Sequence, residues 1–100
     1  MSKKIKILLI GSGFMATEFL KVIDYLKYEC VIVGRGQERL NILKKEFPNY
    51  EFHSGGLEKY LRTFESIKFN YAINAANVNQ LFETSRLLIK SGISKILLEK

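Results

Sequence analysis

Apolar residues fall into short runs whose period switches back and forth along the chain. Residues 4–10 alternate at first and then become continuously apolar through Ile7, Leu8, Leu9 and Ile10, stopping at Gly11. A short apolar run closed by glycine predicts a strand buried in a parallel sheet. From Phe14 the spacing becomes helical, with Met15, Phe19, Val22, Ile23 and Leu26 on one face of a helix over residues 14–27. A β-branched run over residues 29–33 predicts a second strand, ended by Gly34. Leu40, Leu43 and Phe47 mark a second helical face, which Pro48 stops. A third strand over 50–53 leads into Ser54-Gly55-Gly56, a turn in which Ser54 or Gly56 can cap the next helix. Leu57, Tyr60, Leu61 and Phe64 form a third helical stripe, and residues 71–74 a fourth strand. Leu81, Phe82, Ser85, Leu88 and Ile89 line a fourth helix with Gly92 as its stop, before a fifth strand over 93–98. Phe19, Tyr60, Phe64 and Phe82 read as core. Connections this long exclude hairpins, so the order βαβαβαβαβ predicts one α/β unit. Its form is a doubly wound parallel sheet of five strands with four helices, in three αβα layers.

Composition narrows the class. With 47% hydrophobic and 26% charged residues in 100, the chain is one ordered domain, residues 1–100, without disordered tracts. The net charge of +6 suits a phosphate-bearing ligand as well as a nucleic acid. The basic residues are scattered, however, and no nucleic-acid motif is present. The aromatics recur at helical spacing rather than as a base-stacking platform. One Cys and one His exclude a disulfide framework and a structural zinc site built from those residues. No apolar run approaches a membrane span. The basic, then apolar start lacks the cleavage pattern of a signal peptide, so a cytoplasmic protein is expected. Cys30 reads as a buried inert thiol and His53 as a surface or half-buried structural residue. Lys3, Lys4 and Lys6 begin the first strand, at the end of the sheet away from ligands.

Chemistry concentrates where the first strand meets the first helix. Gly11-Ser12-Gly13-Phe14-Met15-Ala16 fits G-x-G-x-x-[G/A] in the context that gives the pattern meaning, directly after a strand and opening a helix. Gly11 permits a tight turn, Gly13 lets the backbone approach a pyrophosphate, and Ala16 lets helix and strand pack closely. The free N–H groups of the helix start, helped by its dipole, then favour the phosphates. This is the Rossmann arrangement for a dinucleotide. Such sites usually place a carboxylate at the end of the second strand for the ribose 2′-hydroxyl. Here the strand ends in Val33-Gly34-Arg35-Gly36-Gln37, and Glu38 falls in the next helix. Arg35 offers a guanidinium fork to a 2′-phosphate, which points to NADP over NAD. The competing reading of Arg35 is a solvated loop charge.

The last residues, Leu97-Leu98-Glu99-Lys100, end the fifth strand in Glu-Lys. Together with the glycine loop, this ending resembles the Gfo/Idh/MocA oxidoreductases, whose corresponding strand ends in Glu-Lys-Pro. The fourth strand, running into Asn74-Ala75-Ala76-Asn77-Val78-Asn79-Gln80, is similar to the family's Ala-Thr-Pro-Asn-x-x-His segment. Asn77 matches; Ala75 and Ala76 replace Thr-Pro, and Gln80 replaces His, leaving backbone contacts as the ones that could survive. The resemblance implies a cofactor domain in which hydride passes between a nicotinamide and a hydroxyl-bearing carbon of a sugar, cyclitol or similar polyol. Lys100 would be catalytic, hydrogen-bonding the reacting oxygen, and Glu99 would orient it or touch the nicotinamide ribose. Ser12, Phe14, Met15, Gly34, Ala75, Ala76, Asn77 and Gln80 would join Gly11, Gly13 and Arg35 around the cofactor. It also implies an α+β substrate domain after residue 100, carrying the general acid–base group, and a homo-oligomer of the longer enzyme. On its own the chain would be a cofactor half and not a working enzyme. A non-catalytic nucleotide-sensing module on the same fold is the alternative.

Overall fold

Alternate residues of the central strand decide the architecture. The computed structural model describes residues 5–64, 69–76, 78–93 and 95–98. Strand β1, Lys6–Ile10, buries Ile7 and Leu9 in one apolar cluster and Leu8 and Ile10 in another, because successive side chains leave opposite faces of a sheet. A strand apolar on both sides must be covered on both sides. Helices α1 (Phe14–Leu26) and α2 (Gln37–Glu46) cover the first face through Ala16, Leu20, Ile23, Leu40 and Leu43. Helices α3 (Leu57–Thr63) and α4 (Leu81–Lys90) cover the second through Leu57, Tyr60 and Leu88. Strands β2 (Glu29–Val33), β3 (Glu51–His53), β4 (Tyr71–Asn74) and β5 (Ile96–Leu98) complete the sheet.

The strand order is β3-β2-β1-β4-β5 and every pairing is parallel. This is the expected doubly wound α/β sheet. The first two crossovers carry the chain outward from β1, and the third brings it back past β1 to β4. The connections of β1 and β4 therefore leave in opposite directions, and ligands bind such sheets at the carboxyl ends of these two strands. The register sets Ile10 level with Val33 and Asn74, so the loops after β1, β2 and β4 start side by side.

The helices are rotated from the faces that spacing suggests. In α1 the buried residues are Ala16, Leu20 and Ile23, with Phe19 packed at the margin, while Val22 and Leu26 lie exposed and Met15 is at the surface. In α4 the buried pair is Thr84 and Leu88, and Phe82, expected in the core, is 81% exposed. The inward row of α4 is Leu81, Thr84, Ser85 and Leu88, an i, i+3, i+4, i+7 set that includes two hydroxyl residues. Hydrophobicity alone had drawn the stripe toward Phe82 and Ile89. The fifth strand starts at Ile96 and not Ile93; Ile93 is buried against the α3/α4 face without joining the ladder. Gly92, at φ +97°, does end α4: its N–H donates to Ile89 O, and the Ile93 N–H reaches back to Leu88 O at 3.1 Å. Gly56, not Ser54, precedes α3, and no side chain caps that helix.

The residues read as structural hold such places. His53 is half-buried, its ring 4.9 Å from Tyr60 and 5.0 Å from Phe64 between centroids, with Nε2 2.6 Å from Glu51 Oε2. Cys30 is buried, and desolvation pushes its thiol up to about 12, which keeps it protonated and unreactive. Lys6 opens β1 at the amino end of the sheet; Lys3 and Lys4 lie outside the described residues. Among the described residues no helix is long and apolar enough to cross a membrane.

The rotation of α4 is testable. Leu88→Ala should cost about 2–5 kcal/mol of unfolding free energy, as for a fully buried leucine. Phe82→Ser should stay within about 0.5 kcal/mol of the parent. Urea unfolding of both variants checks the difference, and the reverse order would restore Phe82 to the core.

Candidate functional site

The carboxyl edge of the sheet is held level by backbone hydrogen bonds that run past the strand ends. Gly11 N–H donates to Val33 O at 2.8 Å, and Ala75 N–H donates to Ile10 O at 2.9 Å. Gly34 N–H donates to His53 O at 3.0 Å, and Gly56 N–H donates to Gly34 O at 3.0 Å. The four loops thus start from one platform. Gly11 is squeezed into it: φ is +125°, and a Cβ there would stand 2.5 Å from the Ala75 carbonyl oxygen. Only glycine meets both conditions.

Asn74 secures the β4 side. It is fully buried, and its Nδ2 donates to Leu81 O at 3.2 Å and Ser85 Oγ at 3.0 Å, while its Oδ1 accepts from Ala76 N–H at 3.2 Å. One amide thus ties the loop after β4 to the first turns of α4. A buried polar side chain is tolerated when its groups are satisfied in this way. Between β4 and α4 a 3-10 turn spans Val78–Gln80.

Above the platform lies a cavity of about 640 Å³. Gly11, Ser12, Gly13, Phe14 and Met15 line it from the first loop, Gly34 and Arg35 from the second, and Ala75, Ala76 and Gln80 from the fourth. Ten of the residues singled out in the sequence therefore share one cavity. Asn77, Glu99 and Lys100 lie outside the described residues. The cavity also takes in residues that motif reading did not single out. Arg39 comes from α2, Gly56, Leu57 and Glu58 from the start of α3, and Asn79, Glu83, Thr84 and Leu87 from the α4 side. Arg39, in the first turn of the helix after Arg35, and Gly56, at the end of the third strand's turn, carried legible signals. The α4 residues carried none, because they arrive through the fold.

The start of α1 has the chemistry of an anion site. Its N-cap is Gly13, with no side-chain cap and no acidic residue in the first turn. Thr17 N–H makes the first helical bond, to Gly13 O at 3.1 Å, so the preceding amides have no intrahelical acceptor. A Cβ on Gly13 would enter the cavity, with only Arg39 Nη1 near it at 3.5 Å. That open space, beside a fully buried Ala16 that seats α1 against the sheet, fits the passage of a pyrophosphate. Arg35 and Arg39 add positive charge, and Glu58 and Glu83 add negative charge across the cavity. The hydrogen bonds from Arg86 hold the Glu83 carboxyl below the usual carboxylate range. Among the described residues no group of His, Cys, Asp and Glu could hold a metal ion.

No protein-family model matches the chain, and no curated protein matches it. Solved structures do. A Gfo/Idh/MocA family oxidoreductase from Vibrio cholerae superposes with a TM-score of 0.78 over 97% of this chain, at 18% identity. The WlbA dehydrogenase from Bordetella pertussis, crystallised with NADH and UDP-GlcNAcA, gives 0.76 over 98%, at 17% identity. This chain shares their fold. It spans 30% of the length of each. The first of them bears the name of the family that the glycine loop and the Glu-Lys ending resemble.

The constraint at Gly11 predicts a separation of strain from steric clash. Gly92→Ala meets a positive φ with nothing within 4 Å, whereas Gly11→Ala meets a positive φ and the Ala75 carbonyl. Gly11→Ala should lower stability by at least about 1 kcal/mol more than Gly92→Ala, the scale of a forced overpacking. Denaturant midpoints at unchanged slope measure it, and equal losses would remove the close approach from the account.

Proposed function

We propose that the chain is the dinucleotide-binding domain of an oxidoreductase of the Gfo/Idh/MocA kind, using NADP. The observation that carries this reading is the uncapped start of α1 at Gly13, open to the cavity at the point where the connections of β1 and β4 diverge. Gly11 shapes the turn, and the amides around Ser12, Gly13, Phe14 and Met15 receive the pyrophosphate. Gly34 and Arg35 face the adenosine ribose, with the Arg35 guanidinium taking the 2′-phosphate. Ala75, Ala76, Asn77 and Gln80 border the nicotinamide side, mainly through backbone. The nicotinamide, when bound, supplies or accepts a hydride.

Lys100, two residues beyond the end of β5, donates a hydrogen bond to the reacting oxygen of the substrate and steadies the charge that grows on it. Glu99 orients that ammonium. The sugar-nucleotide acid and NADH in the Bordetella pertussis dehydrogenase support a sugar, cyclitol or related polyol as substrate. Because the chain spans 30% of the length of these neighbours, their extra length supports placing the substrate-binding part and the acid–base group in a further domain. The absence of a carboxylate at the end of β2, where Gly34 and Arg35 follow Val33, favours NADP over NAD.

Two substitutions test the reading. Gly13→Asp sets a carboxylate and its bulk where the pyrophosphate passes. The variant should keep its fold and lose most affinity for NAD and NADP alike, measured by calorimetry with circular dichroism as the control. Undiminished binding by a folded variant would remove the glycine loop as the phosphate site. Arg35→Ala should weaken NADP about tenfold to a hundredfold more than NAD, the worth of charge-assisted hydrogen bonds to the extra phosphate. Equal losses would return Arg35 to a solvated loop charge.

A further inference from the structure

Two departures from the segment that residues 74–80 resemble touch one another in the fold. In Ala-Thr-Pro-Asn-x-x-His the first residue has no polar side chain, and the third, proline, has no backbone N–H. This chain has Asn74 at the first place and Ala76 at the third. The Ala76 N–H that this exchange brings in donates to Asn74 Oδ1 at 3.2 Å. Proline also fixes its own φ, a restraint that alanine lacks. Asn74 therefore supplies both things that a proline would have made unnecessary or provided, an acceptor for the amide and a hold on the backbone.

The partners of Asn74 set the orientation of its amide. Ala76 N–H can only donate and Leu81 O can only accept, so Oδ1 faces the first and Nδ2 the second. Nδ2 reaches Ser85 Oγ as well, at 3.0 Å. The side chain is fully buried, which keeps water from competing for these groups. Ala75 is pinned to the sheet by its own N–H on Ile10 O, and Ala76 is the next residue out. Ala75 and Ala76 form one part of the cavity wall, and Gln80, Glu83 and Thr84 continue it on the α4 side. Asn74 does not line the cavity. It stands behind the wall and joins its two parts. A wall ordered in advance spares a ligand the entropy of ordering it.

We infer that Asn74 is a positioning residue for the nicotinamide half of the cofactor, holding the wall between β4 and α4 in the shape that proline would otherwise impose. The inference rests on the dinucleotide reading above and adds to it a residue that acts without touching the cofactor. The probes are NADP and 2′,5′-ADP, which carries the adenosine half without the nicotinamide. Calorimetry on the intact chain should show Asn74→Ala losing about tenfold in NADP affinity, the scale of the hydrogen bonds removed, with 2′,5′-ADP affinity unchanged. Adding Ala76→Pro to Asn74→Ala should regain part of that loss, because proline needs no acceptor. Without ligand, the Ala76 N–H should exchange with solvent faster in Asn74→Ala than in the parent. Ser85→Ala removes one bond from outside the cavity and should show the same split between the probes to a smaller degree. It decides the matter where circular dichroism shows Asn74→Ala unfolded. Unchanged NADP affinity, equal weakening of both probes, unchanged exchange at Ala76 or no regain with proline would each overturn the inference while the dinucleotide site stands. Failure of the parent chain to bind either probe would overturn the dinucleotide reading itself, and the inference with it.

Discussion

The close approach of β1 and β4 at Gly11 is the constraint on which the rest depends. The Gly11 N–H donates to Val33 O, and a Cβ on Gly11 would collide with the Ala75 carbonyl, so one residue sits where the ends of β1, β2 and β4 come together. Any side chain there would part β1 from β4. Once the three ends are level, the loops that follow them must face one another across a shared cavity. Its shape then follows from the sheet order, not from any one loop.

The helices supply what the sheet cannot, which is a direction for charge. A parallel sheet with helices on both faces points helix amino termini at its carboxyl edge. In α1 and α2 glycine caps leave those termini without side-chain caps, and Arg35 and Arg39 line the cavity beside them. The same site with Asp or Ser as caps would satisfy its own amides and have less to offer an anion. Glycine at the cap therefore gives up some helix stability and leaves the first amides of the helix open. The burial of Asn74 sustains this arrangement from the other side, since its three hydrogen bonds fix how the β4 loop enters α4.

Strand positions, the parallel class and the glycine loop were legible because each is written in a short, contiguous stretch. Ile7 to Ile10 can be little other than a strand buried on two faces, and Gly11, Gly13 and Ala16 have separate steric roles at fixed spacing. Helix rotation was not legible to the same degree. Phe82 and Val22 are more apolar than Thr84 and Ala16, yet the smaller residues are the ones that fit against the sheet. Closeness of approach outweighs hydrophobicity where a helix must lie flat on strands. Arg39 carried a signal of its own, a second arginine four residues after Arg35, but its place beside Gly13, 26 residues earlier, is set only by the folded chain.

The central claim is that the glycine edge of the sheet, and not another surface, receives a dinucleotide. Amide chemical shifts of the chain during titration with NADP test it residue by residue. The account predicts saturable shifts concentrated at Gly11, Gly13, Phe14, Met15, Gly34, Arg35, Ala75 and Ala76, with Lys6, Asp24 and Tyr50 at the opposite end of the sheet unmoved. Shifts confined to that opposite end, or no saturable change at millimolar NADP, would contradict it.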